Sequence, residues 1–154
     1  LTVIEFNPRM AAQFSDLYRR VDGIDLHQVA LDLAHGLDPE NRPRLPVSAG
    51  VAASFVYRSF DRQARPPMPN AACEQAFAGE FPDALLFSFA KNAGQLARDF
   101  KWLGSYRYGI VHLAGRDTAE LAQRCQRASA LLGWQTPCAE HGAQPHPPLS
   151  LETS

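Results

Sequence analysis

Between Phe100 and Tyr108 the chain sets two cations, Lys101 and Arg107, among four aromatic residues, Phe100, Trp102, Tyr106 and Tyr108. Such a cluster suits a planar, partly anionic ligand, because a ring can stack on the aromatic faces while the cations meet the negative charge. It equally suits a plain surface, on which Lys101 and Arg107 lie over rings in water. A second candidate lies upstream, in Pro46-Val47-Ser48-Ala49-Gly50. Ser48 and Gly50 in this turn of small residues can present backbone N–H groups to a phosphate or a ring edge, although an ordinary turn has the same composition. Arg42 and Arg44, just before it, can grip a phosphate bidentately or stay solvated.

Other chemistries find less support. Cys138, His141 and His146 have a passing likeness to metal-ligand spacing, but neither a paired Cys-x-x-Cys nor a tight His-x-x-x-His is present, and no metal is expected. His27, His35 and His112 stand singly and read as satisfied structural histidines. The chain has no Gly-x-Ser-x-Gly elbow and no Gly-x-x-x-x-Gly-Lys loop, so hydrolase and nucleoside-triphosphatase readings lack a starting point.

The elements that would position these residues follow from periodicity and punctuation. Leu1 to Phe6 alternates weakly, as an edge strand does. Met10, Phe14, Leu17 and Val21 fall on one face of a helix over 10–21, with Arg19 and Arg20 toward water. Asp25 caps a second helix, Leu26 to His35, whose Leu26, Val29, Ala30 and Leu33 form a buried stripe. Val51 to Phe60 is a strand with Phe55, Tyr57 and Ser59 on one face. A short helix over Ala71 to Gly79 precedes the apolar run Ala84 to Ala90, which reads as a strand buried on both faces. Gln95 to Leu103 is helical, Tyr106 to Leu113 is ambiguous by periodicity alone, and Asp117-Thr118-Ala119-Glu120 resembles a capping box. The helix that it opens carries Leu121, Cys125, Ala128 and Leu132 inward and stops at Gly133.

At 154 residues the chain is long enough for one core, and a single α+β domain is expected over residues 1–135, with 136–154 as a Pro- and His-rich tail or extended arm. The net charge of -1 supplies no field for nucleic acid or an anionic membrane, and no apolar run has the length to span a bilayer. Three widely spaced cysteines suit reduced thiols, which together with the lack of a secretory signal places the expected location in the cytoplasm.

Residues 46 to 134 resemble the flavin-dependent nitroreductase superfamily, in the branch of SagB-type dehydrogenases and azoline oxidases. Pro46 to Gly50 is similar to the family's Pro-Ser-Ala-Gly turn with Val47 inserted, and Phe55 to Asp61 is similar to its Gly-Leu-Tyr-x-Tyr-Asp strand. Lys101-Trp102-x-Gly-Ser-Tyr-Arg-Tyr, then Ala114-Gly115 and Ala130 to Gly133, follow the order of its Lys-Tyr-Gly-x-Arg-x-Tyr-Arg-Tyr, Ala-Gly-His and Ala-Leu-Gly blocks. The resemblance implies a nitroreductase-like mixed sheet flanked by helices and an FMN cofactor in a site built across a homodimer. It further implies an oxidoreductase acting on a peptide-derived or small heterocyclic substrate. It places Lys101 and Trp102 at the catalytic positions and Ser48, Ala49, Gly50 and Arg107 at the cofactor. The chain departs from the family in lacking its Arg-x-Ser-x-Arg signature, for which Arg9, Arg42 and Arg44 are possible substitutes, and in carrying Lys101-Trp102 where the family has Lys-Tyr. These departures open a second expectation, a cofactor-less binding or scaffolding subunit of a natural-product biosynthetic complex.

Overall fold

A computed structural model describes residues 12–137. The strand expected over residues 1–6, the tail beyond Pro137 and the Cys138, His141 and His146 set lie outside the described residues. Tyr106 to Gly115, the stretch that periodicity left open, is a strand (β3) and the middle of the sheet, because a strand paired along both edges needs no polar alternation. Antiparallel to it lie β1 (Val51–Ser59) and β2 (Leu85–Ser88), in the order β1-β3-β2. Both outer strands run opposite to β3, so among the described residues the sheet is antiparallel throughout rather than mixed.

The centre of the sheet therefore differs from the expectation. β2 is an outer strand with Leu85 and Phe87 39% and 43% exposed, while every residue of β3 except Arg107 is buried. An apolar run alone does not say how many neighbours a strand has. The four residues of β2 pair with the middle of the ten-residue β3, Gly109 to His112, and no strand among the described residues pairs with their outer edge.

A bulge opposite Tyr57 and Arg58 sets which side chains enter the core. Tyr57 faces Gly109 and Arg58 faces Arg107, so Tyr108 is the extra residue of β3. Before the bulge, Tyr106 and Tyr108 point to the face that Val111 and Leu113 occupy after it, and all four join one buried cluster. Helix α5 (Thr118–Leu132) packs on this face with Leu121, Cys125, Ala128 and Leu132, the spacing expected of it. Asp117 caps α5 by accepting from the Glu120 N–H at 2.8 Å. Glu120 reaches back to the Arg116 N–H at 2.7 Å, one residue short of a reciprocal box.

The helix α3 (Ala71–Glu80) lies against α5, and α4 (Ala93–Leu103) joins β2 to β3 behind a reciprocal cap between Asn92 and Gln95. The opposite face of the sheet carries Ser54, Val56, Ile110 and His112 and is covered by α1 (Ser15–Asp22), which a single 3-10 turn over Ala12–Phe14 precedes.

Helix α2 (Leu26–Ala34) begins at Asp25 as expected, but its inward residue is not the expected stripe. Leu33 is 61% exposed, whereas the Asp32 carboxylate is buried and receives both Arg42 Nε and Nη2, at 2.6 and 2.7 Å. The cause is position: α2 contacts α1 and the turn at Pro39–Asn41 rather than the sheet, so a bidentate ion pair rather than apolar packing closes its inner side. The Arg42 hydrogen bonds hold the Asp32 carboxyl below its ordinary range. No helix among the described residues is long and apolar enough to cross a membrane.

Candidate functional site

Consecutive residues on a helix point about 100° apart, and those on a strand alternate, so the cluster read as a unit in the sequence is divided by its own secondary structure. Phe100 turns into the core and meets Tyr106 edge-on at 5.6 Å. Lys101 and Trp102, in the last turn of α4, face out, with Trp102 72% exposed and Lys101 Nζ 5.1 Å from its ring centroid. Arg107 leaves β3 on the opposite face and stacks 4.7 Å from the Phe89 centroid. Tyr106 donates its hydroxyl to Ala64 O at 2.8 Å, and Tyr108 lies edge-on to Trp134 at 5.4 Å. Phe100, Tyr106 and Tyr108 join the core, whereas Trp102 stays outside it and the two cations lie on different rings, Trp102 and Phe89.

The small-residue turn is at the other end of the ladder. Ser48 and Ala49 donate their N–H groups to Arg20 O at 2.9 and 3.2 Å, and Gly50 donates to Gly115 O at 3.0 Å. A Cβ on Gly50 would lie 2.2 Å from Arg116 O, so its glycine answers a close backbone approach. The ladder runs from the Val51 and Gly115 pair to the Ser59 and Tyr106 pair. At the usual rise of a strand the turn and the Lys101 end are therefore separated by about 26 Å. Arg42 is engaged with Asp32 as described. Arg20, expected toward water, is largely buried and donates from Nε to Asp16 at 2.7 Å. Arg19, Arg20, Asp16 and Asp83 line a cleft of about 310 Å³ together with Ser48, a grouping not legible in the sequence because 28 residues separate the arginine pair from the serine.

Behind Asp16 lies His112, whose type and isolation in the sequence suggest a satisfied structural histidine. His112 is 4% exposed, its Nδ1 stands 3.5 Å from Asp16 Oδ2, and neither ring nitrogen completes a hydrogen bond. It is not the satisfied histidine expected. The Phe87 ring packs on it at 5.7 Å, and Ser54 is its cross-strand partner on the same face. The Ser54 hydroxyl accepts from Gln13 Nε2 at 2.9 Å. Ser54, His112 and Asp16 are thus the residue types of a nucleophile, a base and an orienting carboxylate on one face. The imidazole bridges neither partner by a hydrogen bond and has almost no surface for a substrate to reach, so the set lacks the geometry of nucleophilic catalysis. Burial pushes the His112 pKa below its ordinary value against the opposing pull of Asp16. The signal for it in the sequence was a lone imidazole inside the run Ile110-Val111-His112-Leu113, legible only once that run is a central strand.

No protein-family model matches the chain, and no curated protein and no solved structure matches it.

Proposed function

We propose that this chain is an FMN-dependent oxidoreductase module of the nitroreductase kind, in which Lys101 acts as the base toward a peptide-derived or small heterocyclic substrate. The observation that carries the reading is the placement of its blocks. The Pro46–Gly50 turn leads into β1, the Phe55–Asp61 block lies on β1 and its exit, and Lys101–Tyr108 spans the junction of α4 with the strand paired to β1.

A flavin fits this chain in two pieces. The exposed Trp102 face beside the Lys101 ammonium suits a planar ring, while the cleft of Arg19 and Ser48 suits a phosphate. The Asp16 carboxylate on Arg20 leaves Arg19 as the cation without a carboxylate partner there. About 26 Å of ladder between the two pieces exceeds what one FMN reaches, so the reading requires a second copy to bring the Lys101 end of one chain to the Ser48 end of the other. When bound, FMN supplies the hydride acceptor. Covering of Lys101 by that copy would bring its amine against the substrate, and Lys101 Nζ would then take the substrate proton.

The visible spectrum of the purified protein, recorded with and without added FMN, tests the cofactor. A bound flavin band in a dimeric species is expected, and a colourless protein that takes up no FMN ends the reading. In a flavin-loaded protein, Lys101→Ala should leave the band unchanged and lower substrate oxidation by about 10²-fold or more. Turnover at the level of the unaltered protein would remove Lys101 from the role.

The second reading, a cofactor-less binding subunit, draws on the engagement of the Ser48, Ala49 and Gly50 N–H groups by protein carbonyls. It predicts the colourless outcome.

A further inference from the structure

At the end of β1 a cleft of about 540 Å³ lies between Arg58 to Asp61, the loop through Ala64 to Pro67, Tyr108, and the residues that follow α5. Its size is that of a small-molecule site. Its walls are fixed by bonds from buried aromatic residues: Tyr106 Oη donates to Ala64 O at 2.8 Å and Trp134 Nε1 to Pro67 O at 2.7 Å. The loop is thereby anchored at two carbonyls, so the concavity exists before any ligand arrives.

Two arginines line it, and neither forms an ion pair within 4 Å among the described residues, although Arg58 feels the carboxylate of Asp99, whose own ion pair is with Lys91. Arg20, Arg42, Arg116, Arg124 and Arg127 all form such pairs. Arg58 is held through Nη1 on Ser105 Oγ at 2.8 Å, and Arg65 through Nη1 on the Arg62 and Ala64 carbonyls, both at 2.8 Å. Each guanidinium is thus fixed by one nitrogen and keeps other N–H donors for a planar oxyanion. Asp61, the carboxylate of the cleft, accepts from the Gln63 N–H at 2.8 Å and caps its own turn. Counting Arg58 and Arg65 against Asp61 leaves the lining with one excess positive charge. Pro66, Pro67 and the exposed Phe60 add apolar surface beside the cations, and the Tyr108 phenol, whose oxygen faces the Gln135 backbone, keeps its hydrogen to donate.

We propose that this cleft binds a small organic anion, with its carboxylate or phosphate oxygens on Arg58 and Arg65 and its apolar body on Pro66, Pro67 and Phe60. The site is separate from the cleft of Arg19 and Ser48 and does not depend on flavin.

Two-dimensional ¹H–¹⁵N spectra of the protein, titrated with benzoate, phenyl phosphate and inorganic phosphate, test it. Saturable shifts are expected at Phe60, Gly133 and Gln135 with the two aromatic anions, at lower concentration than with inorganic phosphate. Saturation by benzoate marks a carboxylate site, and saturation by phenyl phosphate alone marks a phosphate site. Arg65→Gln should weaken binding about tenfold, the scale of a lost charge-assisted hydrogen bond, and Arg116→Gln, outside the cleft, should not. Because Arg65 touches only backbone carbonyls, its replacement leaves the fold intact; Arg58→Gln is the second variant and should weaken binding similarly. Absence of saturable shifts overturns the proposal. So do affinities unchanged from the unaltered protein in both cleft variants, equal affinity for inorganic phosphate and phenyl phosphate, and an equal loss in Arg116→Gln.

Discussion

Trp134→Ala is expected to lower stability by about 3–5 kcal/mol, read as a fall in the urea midpoint at unchanged slope. Trp134 lies beyond the last turn of α5, yet it is 5% exposed and stands 4.8 Å from the Tyr57 ring and 5.4 Å from the Tyr108 ring. Its six-membered ring sits against Gly109, where a Cβ would be 2.3 Å from the indole, so the missing side chain of the central strand is the space that the indole fills. Truncation opens a cavity bounded by a glycine and two rings already fixed by other partners, a site with little means to collapse. It also leaves the Pro67 carbonyl without its donor. Domains of this size have only about 5–15 kcal/mol in total, so the variant should be near the edge of folding. Trp134→Phe should cost less, since one ring remains and the loss is confined to the pyrrole part with its N–H. A loss under about 1 kcal/mol for alanine would show that the indole is not a keystone of this core.

Replacing His112 with leucine is expected to stabilise the protein, and increasingly so as the pH falls. The ring is buried, Nε2 has no hydrogen-bond partner and Nδ1 has only the 3.5 Å approach of Asp16, which carries a cost of about 1–3 kcal/mol that an apolar residue of similar size does not bear. The direction with pH follows from its lowered pKa. An unfolded histidine binds its proton near pH 6.5, and the folded one only at lower pH. Between these values the unfolded chain holds more protons, so stability falls as pH drops through that window and levels off below the folded pKa. The groups facing His112 are Asp16 from α1, with Arg20 beside it, and Phe87 from β2. Asp16 tempers the effect without cancelling it. Urea midpoints at pH 7 and pH 5.5 should therefore converge in His112→Leu and diverge in the unaltered protein. Parallel pH profiles for the two would mean that another group sets the acid limb.

Local rules carried much of the fold into view. Asp25 and Asp117 cap the helices expected of them, Gly133 in the left-handed region ends α5, and Leu121, Cys125, Ala128 and Leu132 face inward. What failed was neighbour number. Ala84–Ala90 and Tyr106–Leu113 are both apolar, and nothing within either run says which one pairs on both edges. The Lys101 and Arg107 cluster misled for a related reason. Nearness in sequence put six side chains together that α4 and β3 then send to three different environments, the core, the α4 surface and the far face of the sheet. Asp32 shows the converse, a buried carboxylate invisible until Arg42 is folded back onto it. Arg58 and Arg65 escaped notice because their significance is the lack of an ion pair, which only the tertiary arrangement reveals.

The strand order β1-β3-β2 also has a kinetic side. No strand here pairs with its partner through a tight turn: β2 meets β3 across α4, and Val51 at the start of β1 finds Gly115 only after 64 residues. Closing a longer loop costs more chain entropy before any contact repays it, and topologies dominated by distant pairings fold slowly. The β2-α4-β3 unit closes the shorter loop and is the natural nucleus, leaving β1 to dock afterwards on a half-built sheet. Until it does, one edge of the most apolar strand in the chain stands open, which makes this interval the one in which the protein is most exposed to self-association.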